Sequence, residues 1–338
     1  MGNTGSAAHG RIIDSEFRPH RWLRGPHAQT VVPTLLRPSP KLAFDIETLE
    51  LADGDFVRIG WAGREQRGQR VAVLVHGLTG GFQSKYLRGL AQLLIAAGWR
   101  VAALELRGGG ETPNRLPRNY HHGDTADLRH LWRLLCERDP TARLAAVGWS
   151  LGANVLLKAL GEEGANAPIE AAAAASAPFL LEPCARKLDS GFSRVYQRRL
   201  LRDLKQIVGR KYPPLAAPEG VDLPAMRRAR NFIEFDDAYT APLHGFRDAR
   251  DYYARCESAP FLKTIARPTL VINAVDDPFL ARNILPKVEA LAPDVTLELT
   301  RRGGHVGFIA AGPRGRLSYW LETRIASWLE QVMPPAPR

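Results

Sequence analysis

A chain of 338 residues that is 45% hydrophobic and 24% charged has an ordinary globular balance, long enough for one large α/β domain and its insertions, which excludes disorder as the default. Its net charge of +11 is nearly all arginine, since only eight of the 46 cations are lysine. The arginine pairs 198–199, 227–228 and 301–302 come without an aromatic-interleaved motif, so they read as solvated surface and no nucleic acid is expected as a partner.

Residues 1–16 are polar and rich in glycine and serine and read as a flexible tail. They hold no apolar h-region, so no signal peptide is expected. The Gly2–Ser6 spacing matches a myristoylation pattern only over a short stretch. Residues 17–338 follow as one domain. "AFDIETLEL" and "FVRIGWAG" form a strand pair around Asp53-Gly54. Then "RVAVLVHG" (70–77), "WRVAALEL" (99–106), "RLAAVGW" (143–149) and "IEAAAAASAP" (169–178) are continuous apolar runs. The helical patterns 84–98, 124–139 and "LGANVLLKALG" separate them. That alternation predicts an α/β fold with a mostly parallel central sheet of about eight strands and helices on both faces.

The rhythm breaks at about 180–260, where a cationic helix and a Pro-rich stretch at 213–224 show no buried strand; this region reads as an inserted helical lid. The pattern resumes with a strand at 267–274, a helix at 281–292 around Pro286, a last strand at 294–300 and a terminal helix at 314–333. No apolar run reaches the length of a membrane span, so no stable membrane insertion is expected. Cys136, Cys184 and Cys256 are odd in number and widely spaced, which argues against a disulfide framework or a structural zinc site and points to a reducing, cytoplasmic setting.

Ser150 sits in Gly148-Trp149-Ser150-Leu151-Gly152, a G-x-S-x-G at the junction of an apolar run and a helix. By itself the pattern is weak. A serine acts as a nucleophile only with a base to take its proton and an acid to orient that base. In a sheet of this kind those groups follow in the order serine, acid, histidine at strand ends. Only His244 and His305 follow Ser150. His305 lies in the glycine-rich "TRRGGHVGF" after the last strand, whereas His244 falls in the irregular insertion. "TLVINAVDDPFL" offers Asp276 and Asp277; Asp277 is the expected acid, because it precedes Pro278 and has cleared the sheet edge, with Asp276 facing elsewhere or capping the turn. The oxyanion donors are then the amides of Leu151, after the nucleophile, and Leu78, in "VHGLTGG". His76 precedes the serine and reads as a structural loop residue. "GLTGGFQSK" lacks the Lys-Ser/Thr ending of a phosphate loop, and "RGGGETPN" lacks the last glycine of a dinucleotide fingerprint. His121-His122 has no second ligand set, so neither a cofactor nor a metal is expected.

The ordered set "PHAQT", "HGLTGGFQSKYLRGL", "RGGGETPNRLPRNYHHGDTADL", "GWSLGANVL", "FDDAYTAPLHGFRDARDYY", "INAVDDPFL" and "GGHVGF" resembles the YheT-like hydrolases, the fourth family of the α/β-hydrolase superfamily, over residues 17 to 330. The resemblance implies an α/β-hydrolase fold with an inserted lid and esterase activity on carboxylic esters, often of short to medium acyl chain. It matches the family's nucleophile to Ser150, its acid to Asp277 and its histidine to His305. Ala153 stands where the family usually has glycine in S-L-G-G-N. The expected function is hydrolysis of a small-molecule ester through an acyl-enzyme. An acyltransferase or thioesterase using the same triad, or a non-catalytic hydrolase-fold binder with an idle triad, are the competing readings. Arginines near the lid would favour an acidic acyl or phosphate-bearing substrate, whose turnover should then fall with added salt. Nothing in the sequence sets the oligomeric state.

Overall fold

The computed structural model describes residues 8–212, 215–281 and 283–335; the Gly2–Ser6 pattern and residues 1–7 of the expected tail lie outside them. Nine strands build the main sheet: β1 (Arg11–Asp14), β2 (Asp45–Glu50), β3 (Phe56–Ala62), β4 (Arg70–Val75), β5 (Arg100–Glu105), β6 (Arg143–Trp149), β7 (Ala171–Ala175), β8 (Thr269–Ala274) and β9 (Val295–Thr300). Their spatial order is β1-β9-β8-β7-β6-β4-β5-β3-β2. Every pair is parallel except the two made by β3, which runs antiparallel to β2 and β5. Helices α1 (Pro26–Leu36), α2 (Lys85–Ala96), α3 (Ala126–Arg138) and α4 (Leu151–Glu163) precede β7. Between β7 and β8 the chain leaves the sheet for α5 (Leu181–Leu188), α6 (Ser193–Lys211), α7 (Leu223–Arg228), α8 (Phe232–Phe235), α9 (Ala241–Leu243) and α10 (Ala249–Cys256). It ends in α11 (Trp320–Val332).

Alternation along β4 shows how the layers form. Val71, Val73 and Val75 face α3 and α4, meeting Leu128, Leu131, Trp132 and Leu156. Ala72 and Leu74 face the other way, into a core shared with Leu87 and Leu90 of α2 and Ile325 and Leu329 of α11. A strand covered on both faces has no polar side, which is why it reads as a continuous apolar run. The five alanines of β7 are the extreme case. Alanine favours helix in isolation and is depleted in strands. Here all five are buried, paired with β6 on one side and β8 on the other, so tertiary burial overrides propensity. The inserted segment packs a core of its own around Leu201, Met226, Phe235 and Tyr252. Among the described residues no helix is long and apolar enough to cross a membrane.

Four expectations need correction. The mostly parallel sheet expected at about eight strands holds nine, and the expected flexible tail supplies one of them. Arg11–Asp14 pairs with the edge of β9, assisted by Arg11 Nε donating to Thr296 Oγ1 at 2.9 Å and Ser15 Oγ donating to Glu298 Oε1 at 2.6 Å. An edge strand with mostly exposed side chains carries no hydrophobic alternation to betray it. The helix expected at 281–292 is absent from the described residues there; one 3₁₀ turn, Val288–Ala290, stands in its place. Pro286 and Pro293 leave six residues between them, too few for a stable helix once their own amides are lost. The strand at 294–300 is not the last, because β10 (Ile309–Ala311) and β11 (Leu317–Tyr319) form a small antiparallel hairpin after it. That hairpin also takes the first turns of the expected terminal helix, which starts at Trp320 rather than 314.

Candidate active site

β6 runs straight into α4 with a single residue, Ser150, between them. Its backbone sits at φ +52° and ψ −117°, a conformation that costs about 1–3 kcal/mol for a non-glycine residue and survives only where its surroundings over-determine it. They do: Ser150 N donates to Ala175 O at 2.9 Å and Asn154 N donates to Ser150 O at 3.1 Å. The bracketing glycines have a steric cause. A Cβ on Gly148 would run into the Gly152 carbonyl, and one on Gly152 into the carbonyls of Val75 and His76. α4 is therefore pressed against the end of β4. Ala153 is fully buried in the core, so its methyl is accommodated.

The geometry brings the three expected side chains together. His305 Nε2 lies 2.9 Å from Ser150 Oγ and His305 Nδ1 lies 2.8 Å from Asp277 Oδ2. The Asp277 side chain is inaccessible to solvent, and its other oxygen accepts the Phe279 amide at 2.8 Å. Asp276 does something else. Its Oδ1 accepts the Gly304 amide at 3.0 Å, tying down the start of the histidine loop, and burial raises its pKa above the usual carboxylate range. Asp277→Asn is accordingly expected to lower kcat about 10⁴-fold by disfavouring the required imidazole tautomer. Asp276→Asn keeps an oxygen to accept the Gly304 amide and removes only the carboxylate charge, so it should cost no more than about tenfold; steady-state kinetics of the two variants side by side checks the assignment.

Around the expected oxyanion loop, Gly77 N donates to Tyr86 Oη at 2.9 Å, Thr79 N to Tyr120 Oη at 2.9 Å and Gly80 N to Gly77 O at 3.0 Å. Among the described residues, the Leu78 and Leu151 amides make no such bond. His76 is structural: its Nδ1 bonds Gly77 O at 2.7 Å and its Nε2 accepts from Leu106 N at 3.1 Å. Burial pulls its pKa down to about 4, keeping it neutral. Ser150 and His305 open onto a cavity of about 830 Å³ whose lining includes Leu78, Phe279, Tyr196 and Leu200. Two of the other expected non-participants meet elsewhere, with the His121 and His244 rings 4.4 Å apart. Among the described residues no group of three or more His, Cys, Asp or Glu could hold a metal ion.

Residues 71–311 match the family model described as alpha/beta hydrolase fold. This chain belongs to the α/β-hydrolase family. Within it the hydrolase is 43% identical to YheT of Escherichia coli (strain K12), which bears the name of an esterase, over 93% of each chain. It is 32% identical to the medium-chain fatty acid ethyl ester synthase/esterase 2 of Saccharomyces cerevisiae, over 71% of this chain and 58% of that one. Among solved structures, the Pyrococcus furiosus esterase Pf2001 shares the fold at a TM-score of 0.54 and 15% identity, covering 95% of this hydrolase and 98% of that chain.

Several residues that serve the site escaped the sequence reading. Thr30 Oγ1 accepts the His305 amide at 2.9 Å, and Ser176 Oγ accepts the Val306 amide at 3.1 Å. Gln29, fully buried, accepts the Ile309 amide with its carbonyl and donates to Leu23 O and Ile309 O. α1 therefore holds the histidine loop of the hydrolase from the far end of the chain. "PHAQT" stood out as a resemblance motif without a role, and Ser176 carried no signal. Asn154 ties α4 to the insertion, donating to His122 O at 2.9 Å and Cys256 O at 2.8 Å and accepting from Ser258 N at 3.0 Å.

Proposed function

We propose that this α/β-hydrolase cleaves small-molecule carboxylic esters through Ser150, His305 and Asp277 as a catalytic triad. The observation that carries the reading is the unbroken hydrogen-bond relay from buried Asp277 through His305 to Ser150, ending on a serine that faces a ligand-sized cavity. In the resting state Ser150 Oγ–H donates to His305 Nε2 while Nδ1–H donates to Asp277. Oγ attacks the ester carbonyl as its proton passes to Nε2, and the resulting imidazolium is stabilised by the Asp277 carboxylate. The tetrahedral oxyanion is held by the Leu78 and Leu151 amides. His305 then protonates the departing alcohol, leaving Ser150 acylated. Water, deprotonated by His305, releases the acid and restores the serine.

An alcohol or thiol in place of that water makes the same triad an acyltransferase, a reading supported by the synthase/esterase name of the yeast relative. The insertion acts as a lid, its helix α6 supplying Tyr196, Arg199, Leu200, Ile207 and Arg210 to the cavity lining. Of these, Leu200 and Ile207 are apolar and favour short to medium acyl chains. For p-nitrophenyl esters of increasing acyl length, kcat/KM should rise by about fourfold per buried methylene and then fall once the chain outgrows the cavity. A flat profile would count against acyl binding there. Labelling by a fluorophosphonate probe, wild type beside Ser150→Ala and with ethanol added to one arm of the ester assay, tests the triad and separates hydrolysis from transfer.

A further inference from the structure

Two in-plane hydrogen bonds, to Ser150 and to Asp277, leave an imidazole free to roll about the line that joins them. In this hydrolase something lies flat against its face. The Phe279 ring is parallel to His305, with centroids 3.9 Å apart and planes 9° from coincidence. Asp277 accepts the Phe279 amide with one oxygen and bonds His305 with the other, so a single carboxylate places both partners of the stack. The ring of Tyr196, from α6 in the insertion, stacks in turn on Phe279 at 5.0 Å and 30°. Tyr196 is itself tethered, its hydroxyl 2.9 Å from His27 Nδ1 on α1. Phe192, the residue just before α6, packs on the same His27 ring at 4.4 Å. α1 is also the helix whose Thr30 holds the His305 amide. The contacts thus form a closed circuit: His305, Phe279, Tyr196, His27, and back along α1 to His305.

We infer that Phe279 and Tyr196 are positioning residues for His305, so that seating α6 over the cavity is a condition for holding the histidine against Ser150. This rests on the reading of Ser150, His305 and Asp277 as the triad. Three effects act together. The flat contact removes the roll that the two hydrogen bonds permit. The aromatic face attracts the imidazolium formed when His305 takes the serine proton. Covering that face also keeps water from competing for the ring. All three bear on the transition state more than on ground-state binding, so they belong in kcat rather than KM.

The test is steady-state hydrolysis of p-nitrophenyl butyrate by Phe279→Leu, Phe279→Tyr, Tyr196→Leu and Ser150→Ala, each with a thermal melt. Leucine keeps the apolar contact but loses the flat face, and tyrosine keeps the face. Phe279→Leu and Tyr196→Leu are each expected to lower kcat about tenfold with KM little changed, while Phe279→Tyr stays near wild type. The inference is overturned if Phe279→Leu keeps wild-type kcat, if Phe279→Leu and Phe279→Tyr are equally impaired, or if the loss lies in KM alone. Should Phe279→Leu fail to fold, Tyr196→Leu, on the insertion, decides by the same criteria. A wild type inactive on every ester, or an active Ser150→Ala, defeats the triad reading; a dead Ser150→Ala beside an unimpaired Phe279→Leu defeats only the stack.

Discussion

Replacing Ser150 by alanine is expected to lower kcat for any accepted ester by about 10⁴–10⁶-fold and to abolish fluorophosphonate labelling. In the proposed mechanism this residue supplies the attacking atom, its Oγ lying 2.9 Å from His305 Nε2. What survives the change is substrate binding and the oxyanion donors, which alone retain a modest advantage over water. KM should therefore move little. The thermal melt should stay within about 1 kcal/mol of wild type, since alanine adds no bulk and the lost hydroxyl costs one hydrogen bond. The strained backbone is unchanged because its support comes from main-chain bonds to Ala175 and Asn154. A variant that keeps more than about a tenth of wild-type turnover would remove Ser150 from the nucleophile's role.

Gly152→Ala should be the more damaging change to the architecture, although it adds one methyl. That methyl would run into the carbonyls of Val75 and His76. Val75 cannot yield easily, being paired with Leu104 on one side and Gly148 on the other. Either β4 or α4 must move, and both ends of the site ride on them: Ser150 at the start of α4 and Leu78 in the loop after β4. A stability loss of about 3 kcal/mol follows from overpacking at such a contact, with Tm lower by on the order of 5 °C. The folded fraction should lose at least about tenfold in kcat, because sub-ångström placement of reacting groups governs rate. Gly209→Ala supplies the control. It lies within α6 with nothing inside 4 Å of an added Cβ, and should stabilise by about 0.5–1 kcal/mol. Calorimetry of both variants distinguishes the cases, and a Gly152→Ala protein with wild-type melting and turnover would mean that the junction can relax.

Much of the molecule was legible before any coordinates. The eight strands expected from the sequence all lie in the main sheet, and the chain between β7 and β8 is helical. The three residues whose chain order suggested a triad lie within hydrogen-bond reach. Each of these rests on a signal that is local or periodic: burial on both faces makes a run apolar, and a strand-to-helix junction needs small neighbours. The choice of Asp277 over Asp276 rested on two residues of clearance from the sheet edge, and the geometry sets Asp277 on His305 and Asp276 on Gly304. The reading faltered where local rules conflict or are silent. Residues 281–292 had helical periodicity, yet Pro286 and Pro293 stop the helix. Arg11–Asp14 had no periodicity, yet a free sheet edge recruits it.

The sequence by itself determined the layered α/β architecture, the glycine-bracketed serine and the order of serine, acid and histidine, because periodicity and strand-end chemistry are written into neighbouring residues. Only the tertiary structure decided what steadies the histidine. Thr30 reaches His305 across 275 positions of chain, and Gln29 reaches Ile309 across 280. Phe279 and Tyr196 meet only because the insertion folds back over the end of the sheet. Such partners are selected by shape and distance after the chain has collapsed, and a contact of that kind leaves no pattern along the sequence that a window of neighbouring residues can register.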